Sequence, residues 1–175
     1  MRNTAFLAIG VALLIIQSNL FRLIERFHIP GATPSLLLPL VVFMGVHEYS
    51  IARGAALAFT LGYLLDVFAA APNGLFTFIT VATFVVSRAA GVRLAAQTLL
   101  TKIALAFVFS LLQGVLLVIL TAIFGVDPAR PRALALLIAP HAVATAIIAP
   151  FVFSLAERVH QATINVPRPG EGGPR

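Results

Sequence analysis

The chain has 175 residues, of which 60% are hydrophobic and only 10% charged, against about 25% charged in an ordinary soluble domain. Its net charge of +6 and pI near 11.4 do not point to nucleic acid, because the 12 Lys and Arg are dispersed and form no basic stripe. Cysteine is absent, which excludes disulfides, thiolate catalysis and cysteine metal sites.

Six apolar runs follow one another, at 5–23, 34–46, 54–70, 74–86, 103–124 and 133–155, and the segments between them hold nearly every charge. A bilayer core takes about 20 helical residues, or about 17 at the short end. The first, fifth and sixth runs exceed this and the third reaches it. The second and fourth have 13 residues each, so they are expected to recruit flanking residues, Thr33 and 47–49 around the second and 87–91 after the fourth. Strand-like alternation is absent, and backbone that meets lipid must satisfy its own hydrogen bonds, so the runs read as helices. The expected fold is an all-α polytopic membrane bundle of six transmembrane helices over residues 1–158, followed by a disordered cytoplasmic tail, 159–175.

The first run follows Arg2 but is longer than a signal-peptide core, and no small-x-small cleavage site follows in 17–22. It reads as a retained first helix. Gln17 and Asn19 lie at its far end.

In the third run Gly54, Ala58 and Gly62 recur every four residues, and Asp66 continues the ridge. Small residues at that spacing let helices approach closely in a membrane. The ridge suits packing within the bundle or contact with a partner's helix. Asp66 is the costly residue: a carboxylate at the bilayer centre costs about 2.5–3.5 kcal/mol on insertion scales. It also lies near the negative end of its own helix. Gln17, Asn19, Asn73 and His141 fall at a similar depth, so an outer-half polar cluster is expected, with His141 as a hydrogen-bond or ion-pair partner of Asp66. Such a cluster is either a buried structural network or a ligand or partner site.

The connection 88–102 mixes bases with apolar residues; it extends the fourth helix or lies in the interface as a basic anchor. Ser110 and Gln113 in the fifth run are expected to bridge helices. Pro140 and Pro150 in the sixth predict kinks whose freed carbonyls His141 or Thr145 could occupy. The tail is rich in Pro and Gly, with little to bury.

Basic residues set the orientation. With six crossings, one side carries Arg2, Arg53, Arg88, Arg93, Lys102, Arg158, Arg168 and Arg175, and the other Arg22, Arg26, Arg130 and Arg132. Both termini are therefore expected in the cytoplasm.

Motifs for chemistry are missing. His47-Glu48-Tyr49-Ser50-Ile51 lacks the second histidine of a zinc-binding helix, and there is no nucleophile elbow, phosphate-binding loop or dinucleotide fingerprint. The 4 histidines are scattered, so no metal or other cofactor is expected, nor any enzymatic activity.

Over positions 62–76, with Gly62, Asp66 and Gly74 in a Gly-x-x-x-Asp segment followed by a Gly-Leu turn, the chain resembles the rod shape-determining MreD family of bacteria. The size, the span pattern and the Arg88–Arg93 segment fit as well. The resemblance implies a non-enzymatic scaffold subunit of the cell-elongation complex in the bacterial inner membrane. Its implied partners are MreC, the actin-like MreB, the polymerase RodA and its class B penicillin-binding protein, which together direct peptidoglycan synthesis for cell-shape control. The alternative is the substrate-binding S component of an energy-coupling-factor vitamin transporter, also a six-span protein of this size. A closed, packed outer half would favour the scaffold, and a vitamin-sized polar cavity the carrier.

Overall fold

A computed structural model describes residues 2–25, 33–47, 50–69, 72, 74–90, 98–124 and 130–164. These form six α-helices and no strand: α1 (Arg2–Glu25), α2 (Leu37–Val46), α3 (Ile51–Phe68), α4 (Leu75–Ala89), α5 (Leu99–Phe124) and α6 (Arg130–Ile164). Each apolar run of the sequence has one helix. Three segments, Ile51–Phe68, Leu99–Phe124 and Arg132–Thr163, are long and apolar enough to cross a membrane. The apolar helices Thr4–Leu20, Leu37–Val46 and Leu75–Ala89 are shorter.

α2 is the axis of the bundle. All ten of its residues are buried, and it packs against each of the other five helices. A helix that is apolar all round belongs inside. Its 10 residues rise only about 15 Å, half the thickness of a bilayer core. The expected recruitment of flanking residues into this helix does not occur at Thr33 or His47, and 48–49 lie outside the described residues. Residues 33–35 are not helical, and His47 is the C-cap, its N–H bonding the Phe43 carbonyl at 3.0 Å. Non-helical backbone is tolerated at membrane depth where protein covers it, and Pro34 and Ser35 are buried. The fourth run does recruit its flank, since α4 runs on to Ala89.

Two helix pairs, α3–α4 and α5–α6, have the most extensive contacts in the bundle. Small residues set the closest approaches. A Cβ on Gly62 would lie 2.7 Å from the Thr77 Cα on α4. One on Gly45 of α2 would collide with the Ser87 side chain, also on α4, and one on Gly10 of α1 with Leu61 of α3. Larger side chains fill the middle: Phe6, Leu14, Leu40, Met44, Leu61, Phe84 and Phe153 are all fully buried.

α6 holds both prolines and runs past its expected end. Pro140 and Pro150 lie inside one unbroken 35-residue helix. Its face of Ala142, Thr145, Ala146, Ala149 and Val152 is buried, and that packing holds the helix together despite the N–H each proline lacks. The helix also continues to Ile164, so 159–164 are helical where the sequence predicts the start of a tail. Residues 165–175 and, within the 88–102 connection, 91–97 lie outside the described residues.

Candidate functional site

The first turn of a helix leaves its N–H groups without partners in the helix itself. At α4 these groups turn toward Asp66, whose carboxylate Oδ2 accepts the N–H of Gly74 at 3.0 Å and that of Thr77 at 3.1 Å. Oδ1 accepts the Phe76 N–H at 2.6 Å, and the Thr77 hydroxyl donates to Oδ2 at 2.6 Å. Leu75 N–H bonds the Pro72 carbonyl, and Phe78 N–H begins the helical ladder on Gly74. Every donor of the turn is thus accounted for. Gly74 has φ +95°, a left-handed conformation that suits glycine. Gly62, one turn before Asp66, provides the close approach that brings the carboxylate to this helix end.

The electrostatics invert the sequence expectation. The dipole of α3 disfavours a carboxylate near its own C-terminus, but the positive end of α4 lies directly against it. Asp66 is only 1% exposed and makes four charge-assisted hydrogen bonds, which are stronger than neutral ones. It is a helix cap supplied by a neighbouring helix, and its oxygens face internal donors.

A second cap of the same kind starts α2. Gln17 Oε1 on α1 accepts the N–H of Leu36 at 2.8 Å and of Leu37 at 3.4 Å. Ser35 Oγ accepts the Leu38 N–H at 3.3 Å, and the Ser35 N–H donates to Thr145 Oγ1 on α6 at 3.0 Å. The side chains of α1 and α6 therefore satisfy the backbone that enters the short central helix.

The expected outer-half cluster divides between these two caps. Asp66 serves α4, and Gln17 serves α2. His141 hydrogen-bonds the Thr33 backbone, not Asp66, so the expected pair does not form. Asn19 is exposed and donates back to the Ile15 carbonyl of its own helix at 2.9 Å. Asn73 lies outside the described residues. The ridge of Gly54, Ala58 and Gly62 is buried, covered by helices of the same chain.

Thr77, Ser35 and Thr145 are essential to these caps, and sequence reasoning gave them no part there. Thr77 could have been suspected, because it stands three residues after Gly74 at a helix start. Ser35 and Thr145 carry no such signal, being 110 positions apart.

Between α2, α3, α4 and α5 lies a cavity of about 10 Å³ lined by Ser35, Leu38, Leu65, Thr80, Thr83 and Gln113 among others. That is about the volume of one water. Gln113 Oε1 and Ser110 Oγ are buried without a hydrogen-bond partner, so neither makes the interhelical bridge expected of it.

At the opposite end of the bundle His47 stacks on Phe43, ring centroids 3.9 Å apart, and meets His160 edge-on at 5.7 Å. Lys102 of α5 pairs with Glu157 of α6 at 3.2 Å. Burial lowers the His47 pKa; the Phe43 carbonyl and Glu157 oppose this, and Lys102 adds to it.

No family model matches the chain, and no curated protein or solved structure is significantly similar to it.

Proposed function

We propose that the chain crosses the membrane six times with both termini in the cytoplasm, and acts as a non-enzymatic scaffold subunit of the bacterial cell-elongation complex. The role is the one implied by the resemblance to the MreD family at Gly62, Asp66 and Gly74. In this reading α2 crosses with its non-helical ends wrapped in protein. The partners would be MreC, MreB, RodA and the class B penicillin-binding protein, held by association without covalent chemistry.

The observation that supports a scaffold over a vitamin carrier is that the Asp66 and Gln17 side-chain oxygens are taken up by backbone N–H groups of the same chain. These oxygens cap α4 and α2, and the neighbouring cavity of about 10 Å³ is far below the ~300–1,000 Å³ of small-molecule sites. Copurification from native bacterial membranes tests the proposal. Recovery of MreC with the wall-synthesis proteins is the expected result; recovery of an ATPase pair would establish the carrier instead.

A further inference from the structure

The two hairpins differ in hydrophobic height. On α3 the exposed Arg53 ends the apolar stretch, leaving 54–69, which rises about 24 Å at 1.5 Å per residue. On α4 the stretch between Gly74 and Arg88 rises about 20 Å. The corresponding stretches of α5 (103–124) and α6 (133–155) rise about 33 and 35 Å. A bilayer core is about 30 Å thick. The α3–α4 side therefore stands at the short end of what spans it, with α4 below that end, and the α5–α6 side is slightly long.

Both sides present apolar side chains outward. Phe59 and Phe78 are 56% and 57% exposed on the short hairpin, and Val108 and Ile147 are 59% and 70% exposed on the long one. The short hairpin cannot gain height by sliding. Asp66 fixes the start of α4 to the end of α3, and Gly62 seats the two helices in backbone contact. Tilt lets the long helices shorten their projection, but it only reduces the height of the short ones further. The remaining adjustment lies in the lipid, which thins next to a short hydrophobic surface.

We infer that the α3–α4 face is an interaction surface for short-chain lipid, held in a locally thinned bilayer, while the α5–α6 face takes lipid of ordinary or long chain. The inference rests on the membrane-spanning reading and does not depend on any particular partner.

The chain contains no tryptophan, so one introduced residue reports its own lipid environment. The full chain carrying Phe59→Trp or Ile147→Trp is placed in vesicles of phosphatidylcholines with short (about 14-carbon) and long (about 22-carbon) chains, one of them brominated. Phe78→Trp and Val108→Trp provide a second pair at other positions on the same faces. Quenching should show short-chain lipid enriched at least about twofold next to Phe59→Trp and Phe78→Trp relative to Ile147→Trp and Val108→Trp. Equal selectivity on both faces would overturn the inference, with tilt of the long helices absorbing the difference. Absence of quenching by any brominated lipid would overturn the membrane-spanning reading itself.

Discussion

The Asp66 carboxylate holds Thr77 twice, accepting its backbone N–H at 3.1 Å and its hydroxyl at 2.6 Å through the same oxygen. The two residues are 11 positions apart and belong to different helices. Their contact converts a carboxylate that would be costly inside a membrane into the element that closes the α3–α4 turn. Asp66→Ala should leave the protein inserted, because removing a charge favours insertion. It should destabilise the fold by about 1–3 kcal/mol for each buried donor left without a partner. Asp66→Asn keeps one acceptor oxygen and should fall between Ala and the native residue in thermal unfolding in detergent.

Gly62 and Gly74 serve the same turn for different reasons, and their substitutions should separate the two. Gly62→Ala places a Cβ 2.7 Å from the Thr77 Cα. This overpacking costs about 1–3 kcal/mol, and Gly62→Leu should be worse. A Cβ on Gly74 meets nothing within 4 Å, but φ is +95°, so Gly74→Ala carries backbone strain alone, about 1–3 kcal/mol. Gly74→Asn, which tolerates that conformation better, should recover part of the loss, whereas no polar side chain should rescue position 62. Unfolding midpoints of the four variants check this.

Gln17 is the corresponding test for the central helix. Gln17→Leu removes the acceptor for Leu36 and Leu37 while keeping bulk, and should cost about 1–3 kcal/mol. Hydrogen exchange should then speed up first at the start of α2. Unchanged protection at residues 36–38 would show that the backbone there has another source of satisfaction.

The sequence announced the helices more clearly than the way they assemble. Apolar runs and charge breaks mark all six helices, and the unusual cost of Asp66 marks it for a partner. The partner itself was hidden, because a backbone N–H on another helix has no sequence signature. His141 looked the better match to Asp66 by charge and depth, yet its ring bonds the Thr33 backbone. The full burial of α2 was hidden as well. A run of 13 apolar residues at 34–46 reads the same whether it faces lipid or lies at the centre of five neighbours.

His47, beyond the end of α2, gives the molecule a pH dependence of known sign. Burial holds its pKa below the ordinary 6.5, so the unfolded chain takes up a proton before the folded one does. Stability from this group is complete above about pH 6.5 and is lost as the pH falls through the lowered folded value. Unfolding midpoints should therefore drop on acidification below about 6.5. His47→Phe, which preserves a ring against Phe43, should flatten part of that slope.

The six-crossing topology is tested by the absence of native cysteine. A single cysteine at position 165 should resist an impermeant thiol reagent added to intact cells and react once the membrane is opened. Labelling from outside would place the C-terminus on the wrong side for the proposed scaffold.

A double-mutant cycle on Asp66 and Thr77 tests the capping account most directly. Asp66→Ala, Thr77→Val and the double variant are compared by equilibrium unfolding in the same detergent. The account predicts that the two losses do not add, with a coupling of about 0.5–3 kcal/mol. Strict additivity would show that the two side chains act independently, and would contradict the hydroxyl–carboxylate bond by which Asp66 holds the first turn of α4.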